Sequence, residues 1–186
     1  MPTNTPRLKS HDAIRRLTLM ALLFAMALAL NLFESAFLPP IPSPVPMRYG
    51  LSNLAVMYAL FFLGPKPAFT ISILKSAFIM MTRGLIAGLV SLGGGLLSVL
   101  VMWLFHRLWK PRISYMLISV VGAICHNAGQ LLMAMIILRL PLAFQYIIPL
   151  MALAGVGTGV LSAVLLRVIM PALAKLPGHQ AWLDKS

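Results

Sequence analysis

Residues 17–38 read LTLMALLFAMALALNLFESAFL, a run with no lysine or arginine and a single acid, Glu34. A bilayer core about 30 Å thick takes roughly 20 apolar residues of helix to cross, and this run has that length and character. The same pattern continues outward from it to Met170, with the few charges placed at gaps between oily runs. Hydrophobic residues make up 60% of the 186 residues, charged residues 10%, and the mean hydropathy is +0.94. A water-soluble domain of this size does not need that much apolar surface. The expected fold is all-α, an integral membrane bundle of about six transmembrane helices.

Punctuation sets the expected spans. Pro39, Pro40, Pro42, Pro44 and Pro46 exclude helix, because each proline removes a donor and clashes with the preceding turn; this segment is an extended loop. The next spans run near 49–63, ending at Gly64-Pro65, then 67–82, 84–108, 114–138 and 146–174. The second and third are short for a crossing, so they are tilted, packed against neighbours or partly re-entrant. Three regions follow: a basic N-terminal segment at 1–16, a six-helix membrane domain at 17–174 and a tail at 175–186. The N-terminal segment resembles the start of a signal peptide, but the apolar run behind it is too long and has no clean cleavage site, so a retained first helix is expected.

The net charge of +12 comes from 15 Lys and Arg against three acids. No aromatic residues interleave a basic stripe, which argues against nucleic acid. The basic residues instead flank apolar spans, as topology and anionic headgroups require. Arg7, Lys9, Arg15, Arg16, Lys66, Arg107, Lys110, Arg112, Arg167, Lys175 and Lys185 fall on one side, and only Arg48, Arg83 and Arg139 on the other. Both termini are therefore expected in the cytoplasm of a multi-pass protein of the inner (plasma) membrane, with the proline loop outside. Cys125 is the only cysteine, so no internal disulfide can form.

Small residues mark close helix contacts. Ala21, Ala25 and Ala29 recur every fourth residue; Gly88, Gly93, Gly94 and Gly95 lie in span four, and Gly155, Gly157 and Gly159 in span six. Such ridges let backbones approach in lipid. The glycines suit internal packing, and the alanine stripe suits either packing or an outside partner.

The polar residues inside the spans are the candidates for function. Glu34 pairs with Arg48 at the interface or accepts from a ligand. Arg48 opens span two with Tyr49, Gly50, Leu51, Ser52 and Asn53. A guanidinium and a helix N-terminus both favour an anion, although an arginine there also anchors headgroups. Asn53 needs a partner for its amide. Lys75 lies midway along a short apolar helix, where an ammonium costs at least about 2.5 kcal/mol unless it faces the bundle interior or a wet cavity. Arg83 at the end of the same span can snorkel. His126, Asn127 and Gln130 lie within about one turn of span five; they serve as interhelical glue, at about 1 kcal/mol each, or as a cavity wall. Ser91 and Ser98 flank the glycines of span four and either line the same cavity or bond to their own helix. The 13 methionines give adaptable surface that suits an oily ligand or simply fills core. A lone histidine without acidic or cysteine neighbours makes a poor metal site, and neither a metal nor a cofactor is expected. The surplus of positive charge points to an anionic or phosphate-bearing ligand.

The strings Arg48-x-Gly50-Leu51-Ser52-Asn53, Ser91-x-Gly93-Gly94-Gly95-x-x-Ser98 with Met102, and Gly122-Ala123-x-x-His126-Asn127-x-Gly129-Gln130 resemble the Gx transporter family, often labelled heptaprenyl diphosphate synthase component I. That family looks related to the S components of energy-coupling factor (ECF) transporters. The resemblance implies a six-helix bundle with a small ligand near its outer face, and docking of an Ala-x-x-x-Ala stripe, here Ala21, Ala25 and Ala29, on a transmembrane coupling subunit driven by ATPases. Lys75 stands where the family is expected to carry arginine, which keeps the charge and loses the bidentate fork. The synthase label meets a physical obstacle. Prenyl diphosphate synthesis needs clustered aspartates to hold Mg²⁺, and Asp12, Glu34 and Asp184 are too scattered. No phosphate-binding Gly-x-x-x-x-Gly-Lys-Ser/Thr motif is present, and no catalytic residues are assigned.

The expected function is therefore a substrate-binding and translocation subunit of an ECF-type importer for a small anion: a vitamin, a cofactor precursor or an isoprenoid-related compound. Its site draws on Glu34, Arg48, Tyr49, Asn53, Lys75, Arg83, His126, Asn127, Gln130 and Tyr146. The alternative is a membrane accessory protein that binds an isoprenoid or quinone intermediate for a separate synthase. The plainest reading is a structural membrane subunit whose polar groups only hold helices together.

Overall fold

A computed structural model describes residues 6–37, 48, 50–109, 115–139 and 147–174. The proline loop, Tyr49, Tyr146 and the tail lie outside the described residues. Six helices follow one another: α1 (Pro6–Phe37), α2 (Asn53–Phe62), α3 (Pro65–Arg83), α4 (Leu85–Trp109), α5 (Tyr115–Leu138) and α6 (Ile147–Ala174). No strand occurs among the described residues. The all-α bundle expected from the oily runs is the fold of this chain.

α1 starts eleven residues before the apolar run. The basic stretch expected to stand apart is its opening, since Pro6 suits the first helical position and no glycine or proline separates Arg7 from Leu17. Leu23, Ala27, Asn31 and Glu34 form its buried face. Ala21, Ala25 and Ala29 all lie exposed on the other side. Arg16 donates to the carbonyl of Leu63 at 2.6 Å, which ties α1 to the last turn of α2, where carbonyls lack helical partners.

α2 is the short element, and all ten of its residues are buried. At about 1.5 Å per residue it is about 15 Å long, half of a bilayer core. A helix that is apolar all round belongs inside a protein; α2 touches each of the other five helices. The expected span 49–63 begins instead at Asn53, because Gly50 takes φ +91° and residues 51–52 form a turn. α3 starts with Pro65 after Gly64 at φ +96° and shows one buried stripe of Ile71, Ser72, Lys75, Ser76 and Ile79.

α3, α4, α5 and α6 pack in sequence, each on the next, with the α4–α5 contact the most extensive. Glycines bring those two backbones together. A methyl group on Gly129 would lie 2.6 Å from the carbonyl oxygen of Gly93 and 2.9 Å from the Cα of Gly94. Hydroxyls then bridge the layers: Ser98 donates to the Gly122 carbonyl at 2.7 Å and Ser119 to the Gly159 carbonyl at 2.8 Å. Among the described residues, three stretches, Ala13–Phe37, Leu85–Leu108 and Met116–Leu138, are long and apolar enough to cross a membrane.

Candidate functional site

The site is built around Arg48, Gly50, Leu51 and Ser52, which lead into α2. Three helices hold them. From α1, the Oε2 of Glu34 accepts the backbone N–H of Gly50 at 3.2 Å and of Leu51 at 3.0 Å. From α5, the side-chain amide of Gln130 pairs with the backbone of Arg48 in both directions: it accepts from the Arg48 N–H at 2.9 Å and donates to the Arg48 carbonyl at 3.1 Å. The ring of His126 lies flush on Gly50, so that a methyl group there would stand 2.8 Å from its Cδ2. Gly50 thus answers two demands, a left-handed backbone and a bare face. From α3, Lys75 donates to the Ser52 hydroxyl at 3.1 Å.

The same residues enclose a cleft. Arg48, Ser52, Lys75, Arg83, His126 and Gln130 line it, joined by Asn31, Ser91 and the apolar Ile79 and Ala87. It spans about 360 Å³ with its open mouth counted, of which about 20 Å³ can take the centre of a water molecule, room for about one ordered water. Lys75 forms its floor at 1% exposure, and Arg83 stands exposed at its rim, where its guanidinium donates to the Ser35 hydroxyl. Glu34, itself 1% exposed, is not part of the lining; it attracts Lys75 from beneath the Gly50 turn. Three cations and no carboxylate therefore face the space.

The sequence-predicted residues separate into two groups. Arg48, Lys75, Arg83, His126 and Gln130 come together at the cleft, with Glu34 as their support. Asn53 and Asn127 do not line it. The Asn53 amide donates to Ser98 Oγ at 2.8 Å, inside the core. Asn127 is turned about 100° from His126 around α5 and lies beside Gly155 of α6, with 3.2 Å between its Nδ2 and a methyl group placed there. It contributes the one polar side chain to an apolar groove formed by Ile124, Ala128, Leu131, Leu132, Met135 and Ala152. Tyr49 and Tyr146 lie outside the described residues. The turn's N–H groups, expected to face a ligand, are in part already used: Glu34 takes those of Gly50 and Leu51.

Asn31 is the lining residue that sequence reasoning missed. Its signal was an amide inside an apolar run, three residues before Glu34 and so on the same helix face. Of the two serines expected either to line the cavity or to bond to their own helix, Ser91 lines the cleft and Ser98 does not; Ser52 stood in a quoted motif without being assigned to the site.

Among the described residues no cluster of His, Cys, Asp and Glu could hold a metal ion. No curated protein and no solved structure matches the chain. A family model does match, over residues 23–169, a stretch that includes the cleft, the α4–α5 contact and Ala25 and Ala29 of the exposed stripe. The chain belongs to the family described as heptaprenyl diphosphate synthase component I.

Proposed function

We propose that the chain is a membrane-embedded substrate-binding and translocation subunit of an importer for a small anion. Arg48, Lys75 and Arg83 converge on one cleft, and this carries the reading. A buried ammonium is retained in an apolar bundle only where a partner or a wet path compensates it. The protein crosses the inner (plasma) membrane several times with both termini in the cytoplasm, so that the cleft opens outward. The ligand is a vitamin, a cofactor precursor or an isoprenoid-related compound. The chain is not itself an enzyme: three scattered acids do not make a diphosphate-holding metal site. Energy comes from ATPases acting through a coupling subunit of the ECF type, docked on the exposed face of Ala21, Ala25 and Ala29. Uptake in cells carrying Lys75→Met is the test. Loss of uptake with unchanged expression and detergent melting supports the reading; full uptake reduces Lys75 to a structural residue.

The groove between α5 and α6 favours a second reading. Its apolar lining suits a prenyl or acyl chain, and the family's description names a synthase component. In this version the chain holds an isoprenoid or quinone intermediate for a separate synthase. A photoreactive prenyl probe would then label Leu131 or Met135, and labelling confined to the cleft residues would count against it.

A further inference from the structure

The charges around the cleft narrow its ligand beyond "anionic". Building on the importer reading above, we infer that the cleft takes the head of a phosphate monoester in its doubly charged form. Arg48, Lys75 and Arg83 face the space, and one carboxylate, Glu34, lies behind it. Two of the three positive charges remain without a carboxylate to match them among the cleft's lining residues.

The donors are arranged for a compact group. Lys75 is 1% exposed and makes one hydrogen bond among the described residues, to Ser52 Oγ. An ammonium carries three N–H groups, so two are left for the cleft. Because the Ser52 oxygen accepts from Lys75, its own O–H proton is left to donate. Gln130, by contrast, has both ends of its amide committed to Arg48. Ammonium, hydroxyl and two guanidinium groups line the space from two elements. A tetrahedral anion can offer each a different oxygen, whereas a carboxylate presents two coplanar ones, suited to a single arginine fork.

Charge placement decides between dianions. The three cations line one cleft, so a group that carries both negative charges on one centre lies close to all of them. A phosphate monoester has this property above its second pKa of about 6. A dicarboxylate holds its charges at two ends.

The test uses the full chain in phosphatidylcholine nanodiscs at pH 7, with binding read by thermal shift and by equilibrium titration. Glycerol 3-phosphate is the compact dianion, dimethyl phosphate the tetrahedral monoanion, succinate the extended dianion and acetate the planar monoanion. Glycerol 3-phosphate is expected to bind at least tenfold more tightly than the other three. Lys75→Met and the rim variant Arg83→Gln, which leaves the buried floor intact, should each lose at least tenfold. Discs carrying phosphatidate distinguish the source: a shift there without one from glycerol 3-phosphate keeps the phosphate head and makes the ligand a lipid. If dimethyl phosphate or succinate binds as tightly as glycerol 3-phosphate, the dianion inference is overturned and the anion-binding reading survives. If no probe binds, or both variants bind like the wild type, both fall.

Discussion

Gln130 illustrates how one side chain can substitute for secondary structure. Its amide meets the N–H and the carbonyl of Arg48 as a neighbouring strand would, and so fixes the backbone that carries the guanidinium. Gln130→Ala leaves two backbone groups without that partner, at about 1–3 kcal/mol. The expected result is a lower melting temperature in detergent together with weakened anion binding. Gly50→Ala meets two obstacles at once, φ +91° and a ring carbon 2.8 Å away. A strained backbone of this kind costs about 1–3 kcal/mol. The double variant with His126→Ala should recover only the steric part, which a double-mutant cycle on melting would separate. The sequence made Gln130 visible as an amide in an apolar helix. It could not reveal that its partner is a backbone 82 positions away. Glu34 was legible as a costly charge for the same reason, and its role as the acceptor for a turn was hidden for the same reason.

At the scale of the element, the long apolar runs were the most readable. α4 and α5 fall within a residue or so of the expected 84–108 and 114–138, because uninterrupted apolarity and flanking charges define such helices without reference to neighbours. α2 was misjudged at its start, since the turn that delays it depends on Glu34 and His126 from other helices. The spacing of four residues puts His126 and Gln130 on one face of α5, and both line the cleft; what the spacing did not settle was Asn127, which lies on the other side, beside α6. α1 divides cleanly into a buried face and an alanine face. Ala25→Trp adds bulk only to the exposed side, so folding should change by no more than about 0.5 kcal/mol. Under the importer reading it abolishes co-purification with a coupling subunit while leaving anion binding intact. Retained capture with normal uptake would remove the docking role from this stripe.

For the molecule as a whole, cohesion comes from close backbones and a few hydroxyl bridges around a central helix. Ser98 stands at the junction, accepting from Asn53 of α2 and donating to the Gly122 carbonyl of α5 from its own place on α4. Ser98→Ala removes the hydrogen-bonded link among three helices with the loss of one oxygen. A cost of about 1–2 kcal/mol is expected, read as a lower melting temperature, with uptake per folded molecule little changed because Ser98 is not in the cleft lining. The depth of α2 has a consequence for biogenesis as well. Ten residues are too few to cross a membrane core, yet every one of them is buried in the finished protein. Under the importer reading it enters as half of a hairpin with α3; α1 already offers Glu34 and Arg16 to its two ends, while Asn53 waits for Ser98 of α4 and the Arg48 backbone for Gln130 of α5. Nascent chains halted soon after Arg83 should therefore leave α2 open to labelling from the aqueous side, and those released after α5 should not.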